Sequence, residues 1–146
     1  MSVRSRLIGH WQLVSFTERN DNGEQFDVFG PNPKGYITYL ESGDMSVLFA
    51  STHRKRFSGP WQKVSDRHKA ESYDGMVAYA GRYTDHGDRV VHHVEVCWIP
   101  NWEGRDLERF LTFLPDGQVL LRTPAVRFGR AQPVQDVVVK RVTPEA

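Results

Sequence analysis

Residues 77–98, VAYAGRYTDHGDRVVHHVEVCW, decide the fold class, because they contain two alternating runs separated by a tight turn. The first run places Tyr79 and Tyr83 on one parity, and the second places His92 among apolar residues on the matching parity. Such period-two alternation is typical of half-buried strands. His86-Gly87-Asp88 lies between the runs, and glycine adopts the positive φ of a hairpin turn at little cost. The stretch therefore predicts an antiparallel β-hairpin.

Three further turn signals repeat this pattern, at Asn22-Gly23, Gly43-Asp44 and Asp116-Gly117. Each separates runs rich in aromatic and β-branched residues, which favour strands. Strands are predicted over residues 9–18, 24–29, 35–40, 45–50, 77–84, 89–98, 107–114, 118–123 and 134–142. The polar residues 65–73 predict a short helix, with Asp66 as a candidate N-cap. The fold class is therefore all-β, with eight principal antiparallel strands plus a short extra strand.

Inward-facing polar residues favour a barrel over a sandwich. By alternation, His92 shares its face with Val94, Val96 and Trp98, and Arg109 shares its face with leucines and Phe113. A packed sandwich core rarely holds His and Arg, whereas a barrel with a partly polar cavity accommodates them. About eight strands is also the number at which a barrel encloses one small ligand. The sequence thus predicts an up-and-down barrel.

Length and composition restrict the class of protein. The 146 residues suit a single domain spanning residues 1–146. Lys and Arg number 19 against 18 Asp and Glu, a net charge of +1, so we expect no nucleic-acid partner. One cysteine, Cys97, excludes an internal disulfide. The apolar runs are too short for a signal peptide or a membrane span, so we expect no membrane partner and a cytoplasmic location.

Several kinds of chemistry have no matching motif. The sequence contains no His-x-His, His-x-x-x-His or Cys-x-x-Cys spacing, which argues against a metal site. It also contains no Gly-x-Ser-x-Gly and no glycine-rich phosphate or dinucleotide loop. We therefore expect no metal and no cofactor.

The first strand opens with Gly9-His10-Trp11, and Arg141 in the last strand is a candidate to stack on that indole. This Gly-x-Trp resembles the lipocalin signature, in which the Trp plugs one barrel end beneath an Arg of the last strand. A series of further stretches resembles, in order, the bacterial and fungal lipocalin-like domain family: residues 7–16, 30–39, 43–47, 74–75, 79–83, 91–96, 100–104 and 121–124. The resemblance implies a lipocalin-type β-barrel with Gly9, Trp11 and Arg141 as structural residues. It leaves the ligand and any activity open.

The candidate ligand-binding side chains are aromatic or polar residues on inward faces or at the barrel ends. They are Tyr36, Tyr79, Tyr83, His92, Trp98, Asn101, Trp102, Arg109 and Arg122. His92 is also a candidate general base, because imidazole titrates near neutral pH. An inward Arg109 needs an anion as its partner. If the parity of the strand is reversed, His93 and Glu95 become the catalytic pair, since they lie about 7 Å apart on one face.

Two main hypotheses follow. The barrel binds a small apolar molecule, aromatic or polyketide-like, or it is a cofactor-free isomerase, cyclase or hydrolase that uses a histidine base on such a ligand. A side-chain-filled barrel that serves only as an interaction domain is a third option. The basic loop 51–61 is either a solvated loop or a polar lid over the pocket. A strand edge near residues 30–33 also leaves a homodimer open.

Overall fold

The computed structural model describes residues 2–127 and 129–143, without the side chains of residues 126 and 127. Its strands are β1 (Gly9–Arg19), β2 (Gln25–Asp27), β3 (Lys34–Tyr39), β4 (Asp44–Ala50), β5 (Met76–Asp85), β6 (Arg89–Cys97), β7 (Asp106–Phe113), β8 (Val119–Arg122), β9 (Val126–Arg127), β10 (Arg130–Ala131) and β11 (Val134–Arg141). Its α-helices are α1 (Val3–Leu7) and α2 (Asp66–Asp74), and Trp61–Lys63 and Pro100–Trp102 form 3₁₀ turns.

Eight of these strands close into an antiparallel barrel. The order around the ring is β1, β3, β4, β5, β6, β7, β8 and β11, and β11 pairs back onto β1 from Trp11–Arg141 to Arg19–Val134. The short strand β2 adds to β1 as an extra member, and β9 and β10 form a separate two-stranded hairpin. The predicted barrel of eight strands plus one short strand is therefore confirmed. The β9–β10 hairpin was not predicted.

The interior follows the alternation seen in the sequence. In β4, Met45, Val47 and Phe49 are buried while the residues between them are exposed, and β3 buries Ile37 and Tyr39 in the same way. These side chains join one hydrophobic core from all sides of the barrel. Burial of the apolar faces is the main source of stability for such a barrel.

One end of the barrel is closed by Trp11, Arg141 and α1. The Arg141 guanidinium lies 4.3 Å from the Trp11 ring centroid and donates hydrogen bonds to the carbonyls of Ile8 and Arg6, both at 2.7 Å. The Trp11 indole N–H donates to the carbonyl of Leu7 at 2.7 Å. Position 9 must be glycine here, because its φ is +143° and a Cβ would collide with the Arg141 guanidinium.

A β-bulge in the hairpin of β5 and β6 corrects the predicted parity. Ala80 pairs with Val96 but Gly81 pairs with Val94, so Glu95 is an extra residue in β6. Beyond the bulge the two faces exchange: Val96, predicted to face inward, is 65% exposed, and Cys97, predicted to face outward, is 8% exposed. A Cβ at Gly81 would collide with the carbonyl of His93, so this glycine permits the bulge.

The helices differ from prediction in two details. Helix α1, capped by the Ser2 side chain that accepts from the Ser5 N–H, was not predicted. Helix α2 is present where expected, but Ser65 rather than Asp66 is its N-cap, accepting from the His68 N–H at 3.2 Å. Within residues 2–127 and 129–143, no helix has the length and apolar character needed to cross a bilayer.

Candidate functional site

The barrel encloses a cavity of about 240 Å³. Its wall is mostly apolar: Phe16, Val28, Phe29, Ile37, Val47, Phe49, Met76, Val77, Trp98, Ile99, Trp102, Leu121 and Val137. The polar groups on the wall are Asp74, Tyr79, His92, Arg109, Thr123 and Gln135. An apolar cavity of about 150 Å³ holds one benzene molecule. The volume here therefore suits a molecule with one or two fused rings.

His92 lines this cavity and is 1% exposed. Three strands position the group, because His92 comes from β6, Tyr79 from β5 and Tyr39 from β3. The Tyr39 hydroxyl is 2.7 Å from His92 Nε2, and the Tyr79 hydroxyl is 2.7 Å from His92 Nδ1. Both ring nitrogens are therefore hydrogen-bonded, each to a tyrosine.

These contacts determine the direction of the hydrogen bonds. A neutral imidazole carries one N–H donor and one acceptor nitrogen. Tyr39 is buried, and His92 is the one hydrogen-bond partner of its hydroxyl within the described residues, so its O–H donates to Nε2 and remains satisfied. His92 then carries its proton on Nδ1 and donates it to the Tyr79 oxygen. Tyr39, His92 and Tyr79 thus form a chain of two hydrogen bonds, which we call the relay. It ends at Tyr79, which lines the cavity.

Burial keeps His92 and Tyr39 neutral. Desolvation lowers the pKa of His92 well below 6.5, and the positive charge of Arg109 and the nearby His93 lower it further. Desolvation also raises the pKa of Tyr39 well above 10, with a smaller rise from Tyr79 and an opposing effect of Arg109. At neutral pH the cavity therefore presents hydrogen-bonding groups rather than a charged imidazolium.

Arg109 supplies the positive charge of the cavity. It lies on β7, is half-buried, and lines the cavity together with His92. Its Nη1 donates to the carbonyl of Glu108 at 2.8 Å. Among the described residues Arg109 forms no ion pair. A guanidinium that faces inward is stabilised when its N–H groups donate hydrogen bonds to an anionic or carbonyl oxygen. The arrangement can orient a ligand oxygen in the cavity.

Aromatic side chains surround the mouth of the cavity at the end opposite Trp11. Trp98 follows β6 and packs edge-on against Trp102, with ring centroids 5.5 Å apart. The Tyr73 hydroxyl at the end of α2 donates to the Trp98 carbonyl at 2.7 Å, which ties the helix to this wall. Trp98 and Trp102, both predicted from the sequence to contact ligand, line the cavity.

His93 and Glu95 are not brought together. His93 faces outward, where its Nδ1 is 2.8 Å from the Asp106 carboxylate and its Nε2 is 3.0 Å from the Thr84 hydroxyl. Glu95 is the exposed bulge residue. The structure therefore places His92, and not His93, in the cavity.

Four other candidates lie outside the cavity wall, which corrects their predicted placement. Tyr36 is 42% exposed on the outer face of β3 and stacks on His10 at 4.5 Å, because the inward parity belongs to Ile37. Tyr83 is buried near the closed end and donates to the Leu40 carbonyl at 2.8 Å. Asn101 is exposed in its 3₁₀ turn.

Arg122 is the fourth of these candidates. It forms two hydrogen bonds with the buried Asp136 carboxylate, at 2.7 and 2.9 Å, and these raise the pKa of Arg122. Arg19 also approaches Asp136 at 3.6 Å. The guanidinium of Arg122 is therefore committed to a structural ion pair between β8 and β11.

Several cavity residues were not predicted. Asp74 ends α2, Thr123 follows β8, and Gln135 lies on β11. Tyr39, which bonds to His92 from behind the cavity lining rather than as part of it, was also missed, although it shares the parity of Ile37 in the alternating run of β3. Among the described residues, no group of three or more His, Cys, Asp or Glu side chains is arranged to hold a metal ion.

Comparison with known proteins adds one match. The family model described as a lipocalin-like domain matches residues 8–142, nearly the whole chain. No curated protein matches the chain. The matched region contains every strand of the barrel and every residue that lines the cavity.

Proposed function

The chain belongs to the lipocalin-like domain family, and we propose that its barrel binds a small aromatic or polyketide-like molecule carrying an oxygen atom that contacts Arg109. The family points to ligand binding in general. One observation carries the finer proposal. The cavity is mostly apolar, and it is lined by Arg109, which forms no ion pair among the described residues, beside the buried and neutral His92. Ligand pockets combine apolar walls with a few placed polar groups in this way.

The role of each group follows from its chemistry. Trp98 and Trp102 provide flat apolar surface for a ring system. Arg109 attracts a carbonyl, phenol or enolate oxygen. Tyr79 receives its hydrogen bond from His92, so its own hydroxyl proton is directed away from the imidazole. The ligand is thus oriented at one polar end and held by apolar contact elsewhere.

The experiment compares naphthalene with 2-naphthol by titration calorimetry and tryptophan quenching. We expect both to bind, and 2-naphthol to bind about tenfold more tightly because its oxygen reaches Arg109. The variant Arg109→Gln should remove this preference. Lys140→Gln, which removes the same charge on the exposed outer face of β11, is the control and should keep it.

A second pair of variants tests whether the cavity is the site. Val137→Phe adds a ring to the cavity wall, so binding of both probes should be abolished. Val96→Phe adds the same ring on the outer surface and should leave binding unchanged. Unaltered binding to Val137→Phe would place the site elsewhere and refute the proposal.

Proton-transfer catalysis by His92 is the alternative from the sequence, and the geometry does not favour it. Both imidazole nitrogens bond to tyrosines, so no free nitrogen faces the ligand. Deuterium uptake by 2-tetralone, an enolisable bicyclic ketone, can be followed by NMR. We expect equal rates for wild type and His92→Gln, and faster exchange in the wild type alone would favour the enzyme.

The predicted cytoplasmic location and homodimer stay predictions.

A further inference from the structure

A second depression adjoins the mouth of the cavity. It has a volume of about 440 Å³ and lies between the loop 51–57 and helix α2; we name it the mouth groove. Val28, Phe29 and Asp74 line both the mouth groove and the cavity. The two spaces are therefore neighbours that share part of their lining.

Several contacts hold the loop of the mouth groove in place. The Ser51 N–H donates to the Gly75 carbonyl at 2.9 Å, and the Ser51 hydroxyl donates to the Phe29 carbonyl at 3.3 Å. Arg54 Nε donates to the Ser72 carbonyl at 3.2 Å, which joins the loop to α2. The His53 ring packs so closely on position 30 that a Cβ there would collide with it. Hydrogen bonds to the neighbouring chain segments thus define the position of the loop and the shape of the groove.

The charges of the mouth groove favour an anion. Arg54, Lys55 and Arg56 follow one another along its loop. Its two carboxylates are Asp74 and Glu71, and Glu71 is paired with Arg67 at 3.1 Å. Neither Lys55 nor Arg56 forms an ion pair within the described residues. These two cations are therefore available to a negatively charged group.

We propose that the mouth groove recognises an anionic group, a carboxylate or a phosphate, joined by a short chain to the ring system in the cavity. This inference rests on the proposed function, because the ring must occupy the cavity first. A cavity of about 240 Å³ holds only the ring portion, and the adjoining groove provides the space and the charge for a tail. The ligand class is then an aromatic or polyketide-like acid rather than a neutral hydrocarbon.

Three matched probes test the proposal on the full-length protein: 4-(2-naphthyloxy)butanoate, its neutral carboxamide, and 4-(2-naphthyloxy)butyl phosphate. We expect each anionic probe to bind about three- to tenfold more tightly than the carboxamide at low salt. This advantage should shrink as salt is added, because the charges are exposed. The anion with the larger advantage identifies the preferred group.

Two double variants locate the effect. Lys55→Gln/Arg56→Gln should remove the advantage of the anions while the carboxamide binds as before. Arg82→Gln/Lys140→Gln lowers the net charge equally at exposed positions outside both the cavity and the groove, and it should retain the advantage.

The outcomes separate the two proposals. If neither the carboxamide nor 2-naphthol binds the wild type, the proposed function itself fails. If the carboxamide binds and the anions bind no better, the cavity site stands and the mouth groove inference is overturned. The inference is also overturned if the advantage survives in Lys55→Gln/Arg56→Gln or is lost equally in the control variant.

Discussion

The buried neutral His92 makes the stability of the barrel depend on pH in a defined direction. In the unfolded chain a histidine has a pKa near 6.5. In the folded barrel, desolvation first and then the positive charge of Arg109 hold the pKa of His92 well below that value. Well above pH 6.5 neither the folded nor the unfolded state binds a proton at this ring. Below it, the unfolded chain gains a proton that the folded barrel does not accept, so stability falls.

The size of this loss follows from the linkage relation. One unit below the unfolded pKa, at pH 5.5, protonation favours the unfolded state by about 1.4 kcal/mol for one histidine that stays neutral when folded. We therefore expect His92 to account for about 1.4 kcal/mol of the stability lost between pH 7.5 and pH 5.5.

The assay is urea unfolding at pH 7.5, 6.5 and 5.5, followed by far-UV circular dichroism. The variant His92→Gln keeps a hydrogen-bonding side chain but removes the titrating ring. It is expected to be less stable than the wild type at pH 7.5, yet to lose about 1.4 kcal/mol less on acidification. His68→Gln, the same substitution on an exposed turn of α2, is the control and should keep the wild-type loss. If wild type and His92→Gln lose equal stability, the assignment of a buried neutral imidazole is refuted.

Two further predictions concern the framework of the barrel, and both are measured by urea unfolding at pH 7.5. Gly81→Ala should lower the free energy of unfolding by about 2 kcal/mol, because its methyl group would collide with the carbonyl of His93 on the facing strand. The control Gly59→Ala has open space around the added methyl group and should change the free energy of unfolding by less than about 0.5 kcal/mol. Equal effects would show that the bulge does not need glycine. Arg122→Gln should cost about 2 kcal/mol, because it removes two hydrogen bonds from the buried carboxylate of Asp136. Arg82→Gln, at an exposed ion pair, should cost less than about 1 kcal/mol, and a similar cost for both variants would contradict the assignment.

Local signals in the sequence were enough to predict the barrel. Glycines in turns such as Gly87, with φ near +88°, separate runs whose alternation gives the inward face of each strand. Both signals depend on residues that are close in sequence, so they can be recognised without knowledge of tertiary contacts. The resemblance predicted that Arg141 contacts Trp11. In the structure the Arg141 guanidinium, from the last strand, stacks on the Trp11 indole of the first strand.

The errors arose where local patterns were ambiguous. In β3 both faces carry large apolar or aromatic side chains, so hydrophobicity alone did not distinguish Tyr36 from Ile37 and Tyr39. In β6 one extra residue, Glu95, reversed the parity of Val96 and Cys97. Gly81 in the facing strand was the available signal, since a glycine inside a strand often marks a bulge.

The polar centre of the cavity was only partly predictable. His92 was identified because a histidine stood in an apolar row, and Tyr79 on the paired strand β5 was placed on the matching face. Tyr39 comes from β3, which does not pair with β6, so its contact with His92 depends on the curvature of the closed barrel, which alternation along single strands does not describe. For the same reason Asp74, Thr123 and Gln135 were missed, although all three line the cavity.

The hydrogen bonds between β1 and β11 form a seam that joins the two ends of the chain. Pairings this distant in sequence are slow to form, because a long loop must close before they add stability. The cavity wall crosses the seam, with Phe16 on one side and Val137 on the other. A molecule held in the cavity, as we propose, would contact the first and the last barrel strand together, and it would stabilise their pairing because it binds only the closed barrel.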